Sequence, residues 1–257
     1  MEPASDLVIK TPIILLLFTA LAGISAAGDT TPASSTTQHG ESALIGTFYD
    51  FKQDQKRGPL PMDRHVFEEA VAKFIDTDWD EGMFSKYYRV PRPLYTTELF
   101  IDTINSETAP KAFGVEKTVQ QYTWLVYYKG QVQAPEDGFY RFLGDADDFV
   151  AVAVNGKTVL VADIPGTRLR VKWFAKETAD VHGKWGGDYT AGDWFEAKAG
   201  RLIDVDIITG DSPGGQFRCK LCIQKKGFAY KNNEVPPFQL APTKDTPPGV
   251  PTWKGVQ

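Results

Sequence analysis

Phe149-Val150-Ala151-Val152-Ala153-Val154-Asn155-Gly156-Lys157-Thr158-Val159-Leu160-Val161 decides the fold. Two apolar, valine-rich runs flank an Asn-Gly pair. Both turn residues tolerate the positive φ that a two-residue hairpin requires, so the segment reads as a β-hairpin. Upstream, Tyr122-Thr123-Trp124-Leu125-Val126-Tyr127-Tyr128 is β-rich and ends at Lys129-Gly130, and Phe139-Tyr140-Arg141-Phe142-Leu143 follows the turn Pro135-Glu136-Asp137-Gly138. Downstream, Arg201 to Ile208 sets Leu202, Asp204 and Asp206 against Ile203, Val205 and Ile207. Gln216 to Ile223 sets Phe217, Cys219, Leu221 and Ile223 against Arg218, Lys220 and Cys222. Short runs of period two between Gly, Pro and Asp turns predict an antiparallel β-sandwich.

One helix interrupts this pattern. Asp63 is an N-cap ahead of RHVFEEAVAKFI, where Val66, Phe67, Ala70, Val71, Phe74 and Ile75 fall at helical spacing and Asp76-Thr77-Asp78 ends the run. Its other face is charged, so it predicts a surface helix packed on a sheet. The fold class is therefore all-β with one added amphipathic helix.

Further out, the chain ends read differently. Pro12 to Ala27 is an apolar run behind Lys10, with small residues at Ser25 and Ala27 ahead of Gly28. Its length suits the core of a secretory signal better than the ~20 residues of a membrane-spanning helix. Residues 1–27 are thus expected to be a signal peptide. The membrane enters as a partner only if that segment stays uncleaved as an anchor. Either way the folded part is exported, to a periplasm, the cell surface or the extracellular space. Residues 28–43, rich in Ser, Thr, Gly and Pro, predict a flexible linker. The globular body spans 44–231. Residues 232–257, with Pro236, Pro237, Pro242, Pro247, Pro248 and Pro251, predict an extended C-terminal tail that Phe238, Leu240 and Trp253 tack onto the surface.

Composition narrows the function class. Of 257 residues, 42% are apolar, 24% charged and 12% aromatic, which excludes a disordered, collagenous or multi-span membrane chain. The net charge of -5, with no Lys/Arg block, argues against nucleic acid as a partner. Two cysteines make no disulfide framework, and three histidines no imidazole-built metal site.

The order of motifs resembles a known family. Gly46-Thr47-Phe48-Tyr49-Asp50 opens the body, and Trp124 precedes Tyr128-Lys129-Gly130 and Ala134-Pro135-Glu136-Asp137-Gly138-Phe139-Tyr140-Arg141-Phe142. Asp147-Asp148, Val154-Asn155-Gly156-Lys157-Thr158-Val159, Ala197 to Val205, Gly214-Gly215 and Phe217 to Ile223 follow. Over roughly Leu44 to Gly227 this is similar to the protective-antigen (PA-14) domain, a secreted β-sandwich module of toxins, glycosidases and adhesins. Lys52 to Lys117 is longer than the family's first connection, and Arg168 to Asp193 is an added aromatic-rich stretch.

The resemblance implies calcium as a cofactor. Adhesin members hold the ion on adjacent aspartates, matched here by Asp147 and Asp148, with free positions for sugar hydroxyls. Neighbouring side chains of a regular strand point to opposite faces, so a shared ion needs a cis peptide between them. Calcium takes six to eight oxygens. Asp145, two residues earlier, is a further candidate metal ligand, and Asp211 falls where the family's far-side ligands lie. Trp173, Trp185, Tyr189 and Trp194 in the added stretch are candidate ligand-binding residues, because rigid aromatic rings offer contact area at little entropy cost. The other reading of these rings is a small core capping the sandwich.

Three motifs only look catalytic. Gly210-Asp211-Ser212-Pro213-Gly214 fits G-x-S-x-G, yet a strand follows instead of the helix of a nucleophile elbow, and Pro213 lacks the N–H of an oxyanion hole. Cys219 and Cys222 form C-x-x-C, but on a strand they point apart, with Cys219 expected in the core and Cys222 half-exposed. No spacing singles out a carboxylate pair for glycoside hydrolysis. The expectation is a non-catalytic module binding carbohydrate or a cell-envelope polymer. The alternatives are a structural or protein-interaction subunit that meets other envelope proteins, and a hydrolase domain.

Overall fold

The computed structural model describes residues 35–36, 42–119, 122–164, 169–183, 186–242, 246 and 252–256. The expected signal peptide, nearly all of the expected linker, Arg168, Trp185, Pro247, Pro248 and Pro251 lie outside the described residues. The longer elements are β1 (Leu44–Asp54), α1 (Arg64–Asp76), β2 (Phe100–Asn105), α2 (Thr108–Ala112), β3 (Trp124–Gln133), β4 (Gly138–Asp147), β5 (Phe149–Val154), β6 (Lys157–Asp163), β7 (Leu202–Asp211) and β8 (Gln216–Lys225).

Among the described residues these strands form two packed antiparallel sheets. The larger has nine strands, with β1-β3-β7-β5-β6 as its main run and Leu94–Thr96 beyond β1. The smaller has five, with β4-β8-β2 as its main run. The Asn155-Gly156 turn joins β5 to β6, with φ of 48° and 76° at the two positions. The antiparallel sandwich with one long helix is the fold that the hairpin and strand patterns predict.

Phe48, Trp124, Val126, Val152 and Ile207 of the larger sheet meet Phe142, Cys219, Leu221 and Phe217 of the smaller one in the central core. The other face of the larger sheet is buried too. There Phe51, Leu125, Tyr127, Phe149 and Ala151 pack beneath Phe67, Val71, Phe74 and Ile75 of α1. That two-sided burial explains why Phe149 to Val154 is apolar at every position and fully buried, where a half-exposed strand would alternate. Asp63 caps α1 by accepting from the Val66 N–H at 2.9 Å. Val66 itself, grouped by spacing with the apolar face, is exposed because it sits at the helix edge beside the cap.

Two expectations are corrected. Residues 232–257 do not merely touch the surface: Phe238, Leu240 and Trp253 are buried in the central core. Phe238 N–H donates to Leu221 O at 2.9 Å, and Lys254–Val256 adds a strand to β3. The prolines interrupt regular pairing but leave the apolar side chains between them free to insert. Cys222, expected half-exposed, is fully buried, because Leu143, Ala191 and Val235 cover the outer face of the smaller sheet around it. Among the described residues no helix is long and apolar enough to cross a membrane.

Candidate functional site

Three acids come together at one end of the sandwich. β4 ends at Asp147, β5 begins at Phe149, and the Asp147–Asp148 peptide between them is cis. Asp211 closes β7 opposite Trp124. The loop after it, with a second cis bond at Ser212–Pro213, returns into β8. Asp148 Oδ2 accepts the Ser212 N–H at 2.5 Å, which ties the two loops to each other.

The electrostatics at this end are strained. Asp211 is 1% exposed, and its Oδ1 is buried without a hydrogen-bond partner. Burial first, then the charges of Asp148 and Asp147, push its pKa up to about 8, while Lys52 and Ser106 pull the other way. Burial likewise pushes Asp148 up to about 6; the Ser212 N–H opposes this and Asp147 adds to it. Buried like charges disfavour ionisation of all members of a group, and a neighbouring cation reverses that.

Lys52 and Asp50 complete the surroundings, and neither stood out as a site residue in the sequence. Lys52 Nζ lies 2.5 Å from Asp50 Oδ1 and 3.3 Å from Thr123 O, and it also donates to Tyr122 O. Asp50 is fully buried and accepts from Gln53 Nε2 at 2.7 Å. The available signal was a Lys two residues after an Asp in β1, which is too common a pattern to read.

Chemically, the donors are hard oxygens on two loops that meet, which suits a calcium-type ion. The buried, orphaned Asp211 Oδ1 fits this, since buried polar atoms are otherwise paired in nearly all cases. Yet among the described residues no three Asp, Glu, His or Cys side chains are set so that they hold an ion by themselves. Carbonyl, hydroxyl or water oxygens would have to complete any cage.

The other candidates are placed apart from this trio. Asp145 is engaged by Arg218, with Nε and Nη2 both at 3.1 Å from its Oδ1. Tyr189 packs over Gly183 on the outer face of the smaller sheet, near enough to Asp145 and Cys222 for their charges to add to the burial that raises its pKa. Trp194 stacks on the Arg141 guanidinium at 4.4 Å and donates to Glu177 Oε2 at 3.3 Å. Arg141 precedes Asp147 by six residues on β4, about 20 Å along the strand. Trp173 lies between the two main cores. Ser212 sits between strands β7 and β8 with its hydroxyl 3.2 Å from Thr123 Oγ1.

No family model matches the chain, and no curated protein does. Solved structures similar to it include the PA14 sugar-binding domain of an RTX adhesin, 14% identical over 75% of this chain and 94% of that one, with a TM-score of 0.44. Another is the PA14 domain of the MpAFP antifreeze protein, at 16% identity over 80% and 90%, with a TM-score of 0.41. A third is the epithelial adhesin 6 A domain of Candida glabrata in complex with Galb1-3GlcNAc, at 11% identity over 79% and 88%, with a TM-score of 0.41. Two of the three are PA14 domains.

Proposed function

We propose that this chain is an exported, non-catalytic binding module for carbohydrate or a cell-envelope polymer, acting outside the cytoplasm, with calcium held at the Asp147, Asp148 and Asp211 end. The observation that carries this reading is the Asp211 carboxylate, buried with one oxygen unpartnered beside two further acids. Acids gathered this closely at a buried end are costly to ionise, and a divalent cation offsets that cost. A calcium ion would supply positive charge and exchangeable positions that accept vicinal hydroxyls. Asp148 and Ser212 would keep the two loops in register, and Lys52, already paired with Asp50, would neutralise the remaining charge.

Two features weigh against the competing readings. The Pro-rich tail has its large apolar side chains in the core, which removes the surface anchors that a tail-mediated protein contact would use. The Ser212 hydroxyl is paired with that of Thr123 rather than with a base.

Calorimetric titration with calcium, followed by glycan-array binding with and without chelator, tests the proposal. The expected result is one calcium per chain, weakened at least about tenfold in Asp211→Asn by loss of one charged ligand, and glycan signals that chelator removes. Absence of calcium uptake together with chelator-insensitive binding would overturn it.

A further inference from the structure

The turn at the far end of the β5–β6 hairpin borders an open cleft of about 520 Å³, within the range of small-ligand sites at roughly 300–1,000 Å³. Its walls are the C-terminal end of α1, the Gly156-Lys157-Thr158 turn and residues 172–176. β5 is six residues long, so this cleft lies about 20 Å from the acidic end.

The lining is unusual in three respects. Phe174 is 69% exposed, a large ring held in solvent beside Trp173. The Trp173 indole N–H is buried and has no hydrogen-bond partner. The formal charges balance, with Lys157, Lys172 and Lys176 against Asp76, Asp78 and Asp193. Part of that set is already committed: Lys176 Nζ pairs with Asp193 at 2.9 Å, and the Asp76 carboxylate accepts the Lys172 N–H at 3.0 Å. Two ammonium groups and one carboxylate remain beside an open aromatic face.

We propose that this cleft is a second ligand site, specific for neutral saccharides and independent of any cation at the acidic end. A pyranose ring presents an apolar C–H face and a rim of hydroxyls that both donate and accept. Phe174 offers the complement to the face. Asp78 accepts hydroxyl protons, and Lys157 and Lys172 donate to hydroxyl oxygens. A net charge of zero gives an acidic or basic polymer no electrostatic advantage here.

The test is binding of neutral cello-, malto-, manno- and galacto-oligosaccharides to the full chain in chelator, followed by tryptophan fluorescence and calorimetry. At least one of the four should bind, with an affinity unchanged by added salt. Phe174→Ala, which removes an exposed ring and so spares the fold, should weaken it roughly five- to tenfold. Asp211→Asn should leave it unchanged. Failure of all four sugars to bind in chelator, full affinity in Phe174→Ala, loss of affinity in Asp211→Asn, or a steep fall with salt would each overturn the proposal. Calcium uptake at the acidic end is measured separately, so the two readings fail independently.

Discussion

Asp211 and Asp148 carry carboxyls raised from 3.8 to about 8 and about 6, chiefly by burial. A raised acid pKa means that the folded chain binds these protons more tightly than the unfolded one. The associated stability is complete below the unfolded value and is lost as pH rises through the folded values. The cation-free protein should therefore melt at a lower temperature at pH 8 than at pH 5. Asp211→Asn should flatten that slope, as read by scanning calorimetry of both proteins in chelator. A wild-type slope of the opposite sign, or one unchanged in the variant, contradicts this. Arg141 offers a separate residue-scale test. It is buried, bonds Gln224 at 2.6 Å and pairs with Glu177 and Asp180 at 3.0 and 2.8 Å. Arg141→Ala should cost about 1–3 kcal/mol and expose residues 169–183 to limited proteolysis while the sandwich stays folded. At this scale Asp147 and Asp148 were singled out by the resemblance to the PA-14 pattern alone, since acids at a strand end are common in turns. Lys52 and Asp50 were not, since a Lys and an Asp on one strand carry no distinguishing pattern.

Among the elements, α1 was the most legible, because capping by Asp63 and helical spacing of Phe67, Val71 and Phe74 agree with each other. Phe74 stacks on Phe84 at 4.4 Å and meets Trp79 and Tyr127 edge-on. Phe74→Ala should destabilise by about 3–5 kcal/mol, and Asp63→Ala by about 1 kcal/mol, both measured by urea unfolding. A Phe74→Ala loss below that of the cap would mean that the helix is peripheral. Strand runs were legible from period and turns, but which of them are buried on both faces was not. Phe149 to Val154 has no polar face because α1 lies across it, and that contact joins elements more than seventy residues apart. The fate of Cys222 was hidden for the same reason, since Val235 and Ala191 come from separate short strands.

For the whole molecule, the proline-rich end belongs to the core. Trp253 meets Tyr140 at 5.1 Å and Phe238 at 5.8 Å, while Phe238 packs edge-on against Phe142. Removing residues 232–257 should therefore abolish cooperative thermal unfolding, followed by circular dichroism; a normal melt would show the tail to be dispensable. Proline spacing speaks only to the backbone, and periodicity has no means of showing where isolated apolar side chains insert. That same end meets the beginning of the domain: the Ser42 hydroxyl donates to Gly255 O at 3.4 Å, and Lys254–Val256 runs beside Gln131–Gln133. Trp124, opposite Asp211, is at the other extremity of β3, about 30 Å away. Entry and exit thus share one corner, like both handles of a loop of rope. The buried end formed by Asp148 and Asp211 therefore lies at the opposite extremity of the sheet from Ser42 and Gly255.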